Sequence, residues 1–506
     1  MRRTGRVVVG LAVLVGGYSG LSRLKAADDN VVIGERPAIE VHLDQARIET
    51  GEVSLKDCLR RGRILFEAVF NKLDGQGRPL STGGGAPRLA GQPAFLRTSG
   101  ADSNSCAGCH AQPRTGGGGD FVANVFVLAQ NRDPVTFSVA GAFSNERNTL
   151  AMMGAGPIEM LAREMTGDLI AIREAARAQA RTTGVPATRP LSAKGVSFGS
   201  ITVLPSGKVD PSGIIGVDWD LIVKPFHQKG AVVSLREFSN NAMNHHHGMQ
   251  SVERFGKDTD PDGDGLMNEL TVGDITAVTL FQATLNTPGR LLPANRARRE
   301  AAERGEQVFS TVGCVTCHRP SMVLNNRVFT EPNPYNQAGN LRPEDVSRPV
   351  TFDLTRDGPE PRLERTRDGR AIVRAFTDLK RHDLTDADEG FFGNEQLAQG
   401  RLNGFDPDSN FVLPAPPRPV AQFLTRKLWD AGNSAPYGHR GDLTTLTEAI
   451  HYHAGEARAV RDAYFGLRAE DQAAVIEFLK TLQILPDGSP LVVVEDEDRE
   501  PHEDRR

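Results

Sequence analysis

Two copies of the pattern C-x-x-C-H, one in each half of the chain, constrain this protein more than any other feature. They read Cys106-Ala-Gly-Cys109-His110 and Cys314-Val-Thr-Cys317-His318. Two thiols separated by two residues can form thioether bonds to both vinyl groups of one haem, and the following histidine is then held beneath the iron as its proximal ligand. Because the two copies use four of the five cysteines, we expect two covalently bound c-type haems.

Cysteines at this spacing also form disulfides, and two such pairs can share one zinc ion. A redox-active C-x-x-C usually begins a helix beside a βαβ pattern, which the chain does not show. A zinc site made of four cysteines would leave both histidines without a role, and it is favoured in a reducing compartment. Haem attachment therefore explains the two sequences better than either alternative.

The first 27 residues have the order of a secretory signal peptide. A basic start, residues 1–6, precedes an apolar run over 7–21, and small residues follow at Ala26 and Ala27. We expect an exported, periplasmic protein with no stable membrane span after cleavage; an uncleaved anchor is the alternative. The net charge of -5 gives no reason to expect nucleic acid as a partner.

The pattern along the chain predicts a mainly α fold with two cytochrome c-like haem domains and with β-hairpin and long-loop insertions. After the signal peptide (1–27), the N-terminal haem domain takes residues 28–287 and the C-terminal haem domain takes 288–486. The boundary falls at a stretch punctuated by proline and glycine, residues 287–293. A charged, disordered tail is expected over 487–506.

Each haem sequence is preceded by a stretch with helical spacing of apolar or charged residues. The predicted elements are helices over 54–72, 296–309 and 469–482 and hairpins over 196–209 and 350–376. The fifth cysteine, Cys58, lies on one side of the first helix, seven residues before Leu65. A buried, unpaired thiol is the expected role for it, and a reactive thiol is the alternative.

Several further segments form motifs outside the haem sequences. They are Ala435-Pro-Tyr-Gly-His439-Arg-Gly441 with Thr445-Leu-Thr-Glu-Ala-Ile450, Phe376-Thr-Asp-Leu-Lys-Arg-His382-Asp383, Arg147-Asn148, and Val217-Asp-Trp-Asp220 with Lys224-Pro-Phe226. In these segments the chain resembles the bacterial di-haem cytochrome c peroxidase and MauG superfamily, and within it the di-haem oxidoreductase (thiol oxidoreductase-like) branch. The resemblance implies that electrons arrive at the C-terminal haem and that hydrogen peroxide or another substrate reacts at the N-terminal haem.

The resemblance also implies the second axial ligand of the C-terminal haem. In the family this ligand follows shortly after the segment that matches Thr445–Ile450, and it is usually methionine. His453 occupies that place here, so the iron would be held by His318 and His453. Two histidines give a lower reduction potential than histidine with methionine. An ordinary surface histidine is the alternative interpretation of His453.

A run of three histidines, His245-His246-His247, falls where the family carries a distal acidic residue near the N-terminal haem. His246 aligns best, and a shift by one residue selects His247. Three roles stay open: general acid–base catalysis on bound peroxide, ligation of the iron, or a metal-binding surface run. No histidine occurs between His110 and His227, so the early distal ligand of the best-known peroxidases is missing.

Trp219 and Trp429 are the only tryptophans. In MauG an indole lies on the electron route between haems, and the resemblance favours Trp219 for such a relay. Packing in the core is the alternative for either ring.

An acidic segment resembles the calcium loop of an EF-hand, D-x-D-x-D-G-x₅-E. Its oxygen-bearing side chains are Asp258, Asp260, Asp262, Asp264 and Glu269. Alternate carboxylates suit a hard cation, and the glutamate can bind it with both oxygens. Gly265 stands where EF-hands usually carry an apolar residue, so a complete EF-hand helix pair is not expected. We predict a calcium ion here, with a merely acidic turn as the alternative.

Together these features predict a periplasmic di-haem c-type oxidoreductase, peroxidase-like, that receives electrons from a small redox protein of the cytochrome c or cupredoxin type. A di-haem electron-transfer cytochrome without peroxidase activity is one alternative. A MauG-like oxidase that acts on a protein or organic partner is another.

Overall fold

The computed structural model describes residues 24–25, 32–77, 103–119, 147–393 and 421–495. The predicted signal peptide lies outside these residues except for 24–25, and so do residues 496–506 of the predicted tail. Among the described helices, none is both long enough and apolar enough to cross a lipid bilayer.

The described residues form helices throughout, with strands concentrated between residues 187 and 383. The helices are α1 Gln45–Glu49, α2 Leu55–Glu67, α3 Cys106–Cys109, α4 Ala155–Thr183, α5 Leu235–His247, α6 Val252–Phe255, α7 Val272–Ala283, α8 Arg296–Val312, α9 Leu446–His451, α10 Arg458–Phe465 and α11 Ala469–Lys480. The strands are β1 Leu24–Lys25, β2 Val32–Ile33, β3 Ala187–Ala193, β4 Val196–Val203, β5 Val209–Asp210, β6 Gly289–Leu292, β7 Met322–Leu324, β8 Val328–Glu331, β9 Val350–Asp353, β10 Glu364–Arg365, β11 Ala371–Val373, β12 Arg381–Asp383, β13 Gln422–Leu424, β14 Leu482–Gln483 and β15 Val492–Val494.

Two pairs of crossed helices, one pair in each half of the chain, repeat the same packing. The N-terminal helix pair is α2 with α7, and the C-terminal helix pair is α8 with α11. A Cβ atom on Gly62 would lie 2.0 Å from the carbonyl oxygen of Ala277, and one on Gly305 would lie 1.9 Å from that of Ala474. Only glycine permits so close an approach of two backbones, so each crossing depends on one glycine.

The aromatic residues one helical turn beyond each crossing repeat the same geometry. The rings of Phe66 and Phe281 lie 5.4 Å apart at 58°, and those of Phe309 and Phe478 also lie 5.4 Å apart at 58°. On each helix the phenylalanine lies four residues after the glycine or alanine of the crossing. A spacing of four places both residues on the same face of the helix. The two halves therefore share a crossing of two helices that ends in a pair of phenylalanines.

The predicted helices have the expected type, but their ends differ. α2 starts after Ser54, whose hydroxyl accepts a hydrogen bond from the N–H of Asp57 (3.2 Å). It ends at Glu67 and does not continue to residue 72, because the main chain of Phe70 turns away to donate to the carbonyl oxygen of Asn104 (2.8 Å). Val69, which lies within the predicted helix 54–72 but beyond the end of α2, is 66% exposed. Cys58 is buried in α2, and burial raises the pKa of its thiol to about 11, as expected for a packing residue.

The strands include the two predicted hairpins in modified form. β4 and β5 pair antiparallel around a turn at 204–208, and β3 extends them to three strands. β10 and β11 form a hairpin around Asp368-Gly369. The turn at Asp357-Gly358 closes no hairpin, because β9 before it pairs with β8.

Residues predicted as a linker and as a disordered tail form one small sheet. β6, within the predicted boundary 287–293, lies between β14 and the parallel strand β15. The three valines of β15 are β-branched and favour strand structure, which explains why order extends beyond residue 487. The largest apolar cluster likewise joins residues of both predicted domains, such as Leu161 and Phe329.

Candidate haem sites

The first C-x-x-C-H sequence lines a cavity of about 430 Å³. It forms one helical turn, α3, in which the N–H of His110 donates to the carbonyl oxygen of Cys106 (2.9 Å). The ring of His110 lies 6.1 Å from that of Phe66, at the end of the N-terminal helix pair. Cofactor sites commonly have volumes of about 300–1,000 Å³, so the cavity and its lining suit a haem.

The second C-x-x-C-H sequence begins directly after α8. Gly313, with φ +107°, ends the helix, and a 3-10 turn over Cys314–Thr316 leads to His318. The ring of His318 lies 6.4 Å from that of Phe309 at 49°, close to the 6.1 Å and 49° of Phe66 and His110. Both motif histidines therefore have the same position relative to their helix pairs.

The cysteine pairs show neither of the alternative arrangements. None of the five cysteines, all of which lie in the described residues, is in a disulfide. Groups of three or more metal-ligating side chains occur in the described part of the chain only at Cys317, Asp378 and His382 and at the acidic loop. Neither group joins the two cysteine pairs, so the structure contains no shared zinc site.

The electrostatic surroundings keep both motif histidines neutral. Burial, followed by the charge of His246, lowers the pKa of His110 to about 4. Burial, followed by the charge of His453, lowers the pKa of His318 to about 4. A neutral imidazole retains an unprotonated nitrogen, which iron ligation requires.

A second histidine faces His318 at the separation expected for two ligands of one iron. The ring centroids of His318 and His453 lie 6.4 Å apart. Metal–imidazole bonds are about 2 Å long, so two imidazoles on opposite sides of one iron have centroids about 6 Å apart. Nδ1 of His318 lies 3.1 Å from the carbonyl oxygen of Phe376, and Nδ1 of His453 lies 2.7 Å from that of Ala449. Both contacts leave Nε2 for the metal, so these residues fit a haem.

The predicted histidine run forms the last turn of α5 and separates into distinct environments. His247 is 1% exposed. Its Nδ1 lies 2.7 Å from the carbonyl oxygen of Ser103, and its Nε2 lies 3.4 Å from the sulfur of Cys106. All three histidines of the run line the cavity, and His246 also acts electrostatically on His110. His247 therefore supports the attachment segment, and His246 has the better position for chemistry in the cavity.

The same cavity gathers residues that sequence reasoning did not select as a site. Six of the twelve histidines line it, including His227 and His439. The amide of Asn148 donates to the carbonyl oxygens of Pro436 and Gly438 (2.7 and 3.2 Å). Three of the quoted motifs thus meet at one cavity. His227 also has φ +62°, a conformation rare for residues other than glycine and often associated with functional sites.

Neither tryptophan lines the cavity, and the two rings differ in burial. Trp219 is half-buried. Trp429 is 2% exposed, and a Cβ on Gly154 would lie 2.2 Å from its ring. Gly154 immediately precedes the cavity-lining residue Ala155, so Trp429 packs close to the segment that forms part of the cavity.

The acidic loop brings together three of its five predicted ligands. Carboxylate oxygens of Asp260, Asp262 and Asp264 all lie within 4.8 Å of one another. Burial, followed by these aspartates, raises the pKa of Glu269 to about 9. Asp258 stands apart from the cluster, because its carboxylate accepts a hydrogen bond from Asn268 (2.8 Å).

No protein-family model matches the chain, and no curated protein matches its sequence. Among solved structures, the hydrazine synthase of Kuenenia stuttgartiensis aligns with 92% of this chain and 100% of its own at 15% identity, with a TM-score of 0.35. A MauG-like protein associated with microbial copper homeostasis aligns with 56% of this chain and 78% of its own at 18% identity, with a TM-score of 0.25. Both superpositions are loose, and the interpretation of the sites rests on the residues described above.

Proposed function

We propose that this protein is a periplasmic di-haem c-type oxidoreductase with a peroxidase-like reaction. His318 and His453 hold the haem at which electrons arrive, and the cavity beside His110 is the reaction site. Two observations support the proposal: an imidazole faces His318 at axial-ligand distance, and His110 lines a cavity of about 430 Å³ that His246 and Lys427 also line. A haem attached at each site would supply one-electron oxidation and reduction.

His246 is the proposed general acid and base of the cavity. Reduction of hydrogen peroxide to two waters consumes two electrons and two protons. An unprotonated imidazole can take a proton from one peroxide oxygen and return it to the leaving oxygen. A cation in the wall, Lys427, lies where it can stabilise negative charge that develops on oxygen. Burial lowers the pKa of Lys427 to about 8, so it is still mostly charged at neutral pH.

The segment 424–429 is the proposed electron route between the sites. Leu424, Arg426 and Lys427 line the cavity. Leu428, between Lys427 and Trp429, packs against the cluster that contains Phe309 and donates its N–H to the carbonyl oxygen of Ala375 (2.9 Å). One short peptide thus contacts both sites, and the ring of Trp429 supplies a π-system within it.

Three further proposals concern the surroundings of the reaction. We propose that the protein acts after export from the cytoplasm, as the N-terminal sequence indicates. We propose that a small redox protein of the cytochrome c or cupredoxin type delivers electrons. We also propose that a calcium ion binds Asp260, Asp262, Asp264 and Glu269, because oxygens of the three aspartates lie within 4.8 Å of one another and calcium prefers carboxylate oxygens as ligands.

Steady-state turnover of hydrogen peroxide with reduced cytochrome c as donor tests the proposal. We expect two donor molecules to be oxidised per peroxide, and we expect the resting protein to contain one low-spin, two-histidine haem. No turnover together with two low-spin haems would instead indicate an electron-transfer cytochrome. Peroxide consumption that oxidises an added protein and spares the donor would indicate a MauG-like oxidase. The His246→Gln variant is the control for catalysis by the cavity.

A further inference from the structure

His382 connects the two sides of the C-terminal haem site. It lies in β12 and is 8% exposed. Its Nε2 lies 2.8 Å from a carboxylate oxygen of Asp378, and its Nδ1 lies 2.7 Å from one of Glu456. A neutral imidazole donates from only one nitrogen, whereas the imidazolium form donates from both. Two carboxylates at the two nitrogens therefore select the cation.

The charge balance around His382 agrees with this geometry. Burial alone disfavours the cation, but hydrogen bonds with Asp378, Cys317 and Glu456 outweigh it and raise the pKa of His382 to about 11. Asp378 is almost completely buried and Glu456 is about half exposed. Hydrogen bonds between charged groups are stronger than neutral ones, so the contact with buried Asp378 fixes the ring firmly.

Asp378 connects His382 to the side of the site that contains His318. It follows Phe376 by two residues, and the carbonyl oxygen of Phe376 is the partner of His318 Nδ1. The sulfur of Cys317 lies within 4.8 Å of the nearest carboxylate oxygen of Asp378 and ring nitrogen of His382. The cation is thus anchored next to the haem-attachment segment.

Glu456 connects His382 to the opposite side, which contains His453. It follows His453 by three residues, and its second oxygen accepts a hydrogen bond from the N–H of Asp383 (3.0 Å). The N–H of Gly455 donates to Asp386 (2.9 Å). A Cβ on Gly455 would lie 2.5 Å from the carbonyl oxygen of Asp383, so this loop lies tightly on the segment 383–386.

We propose that His382 is a positioning residue that locks the loop of His453 over the C-terminal haem iron. This inference rests on the ligand pair His318 and His453 in the proposed function. With the cation in place, His453 can leave the iron only if the loop gives up its contact with His382. Replacing the cation with a neutral side chain releases Glu456 and leaves Asp378 buried without its partner, so the six-coordinate state loses stability.

Spectroscopy of the holoprotein and of the variant His382→Gln tests this role. Electron paramagnetic resonance of the oxidised protein reports the spin state of each haem, and titration of the reduced protein with carbon monoxide counts open iron positions. We expect the population of the C-terminal haem without its second ligand to rise about tenfold or more in the variant. His382→Lys retains a cation and should restore most of the low-spin signal.

Two further variants make the test specific. Glu456→Gln changes a half-exposed residue, is compatible with folding, and should shift the spin state in the same direction to a smaller extent. His451→Gln, on the exposed end of α9, should leave the spectrum unchanged. An unchanged low-spin signal in both His382→Gln and Glu456→Gln overturns the role of His382. If the C-terminal haem of the wild-type protein is not a low-spin, two-histidine centre, the proposed ligand pair is wrong. The wild-type spectrum reveals this before any variant is made.

Discussion

The two helix-pair units of this chain share their internal geometry and differ in what faces the motif histidine. In both, a glycine crossing is followed by a phenylalanine pair at 5.4 Å and 58°. Opposite His318 lies His453, which follows α9 and its C-cap residue. The two ring centroids are 6.4 Å apart. Beside His110 there is a mainly apolar cavity whose wall also includes His246 and Lys427. The helix pair therefore determines the position of the motif histidine, but it does not determine which groups face that histidine.

The distal half depends on the segments that each unit adds to its helix pair. In the C-terminal unit, a compact loop held by His382 and Asp386 follows His453. In the N-terminal unit, residues 147–247 form a long insertion whose final turn supplies His246. A ligand on a tightly held loop favours electron transfer, whereas a cavity admits a reactant. The following predictions test this division, from the largest expected effect to the smallest.

Removal of either cysteine pair should halve the haem content. The double variants Cys106→Ser with Cys109→Ser and Cys314→Ser with Cys317→Ser each lose both thioether bonds of one haem. We expect one haem per chain in each, measured as the pyridine haemochrome, and loss of donor-dependent peroxide turnover in both. Two haems in either double variant would contradict the assignment of that motif.

Distal substitutions should affect the two units differently. His453→Ala opens the C-terminal iron, so a low-spin signal is replaced by a high-spin one and carbon monoxide binds. His246→Gln should leave haem content unchanged and reduce peroxide turnover by about 10²–10⁴-fold, the usual contribution of a general acid–base residue. Equal effects of the two variants on turnover and on spin state would contradict the proposed difference in role between the two units.

The glycine crossings should be equally sensitive in both units. Gly62→Ala and Gly305→Ala each place a Cβ about 2 Å from a carbonyl oxygen of the partner helix. Overpacking of this kind lowers the free energy of unfolding by about 1–3 kcal/mol. Gly167→Ala in α4 is the matched control, because its Cβ would meet no atom closer than 3.4 Å. Denaturant unfolding measures all three. A crossing variant as stable as the control would show that its helices can separate without loss.

The acidic loop should make thermal stability depend on pH and on calcium. Burial raises the pKa of Glu269 from its ordinary 4.5 to about 9, so between these values the folded state binds more protons than the unfolded state. Without calcium, Tm should therefore fall as the pH rises from about 5 to about 9. Calcium should raise Tm by a few degrees, more at pH 8 than at pH 5. Asp262→Asn should abolish this gain, and Asp258→Asn, outside the cluster, should largely keep it.

Local patterns in the sequence were enough to predict several parts of the fold. A helix was predicted directly before Cys314, and Asn295 caps that helix, α8. The turn at Asp368-Gly369 identified a hairpin. These features succeed because they depend on neighbours within a few residues. The end of α2 and the strand β15 were missed, because Asn104 and β6, which determine them, are distant in sequence.

The sequence by itself determined where the two C-x-x-C-H segments lie and that a helix accompanies each of them. Only the tertiary structure decided which groups face the histidines of these segments. His246, His439 and Asn148 come from separate segments and meet at one cavity, and the ring of Trp429 packs on Gly154 only because this residue has no side chain. Each C-x-x-C-H turn is encoded in five consecutive residues, whereas the groups opposite its histidine are assembled from contacts between distant segments, which no local pattern specifies.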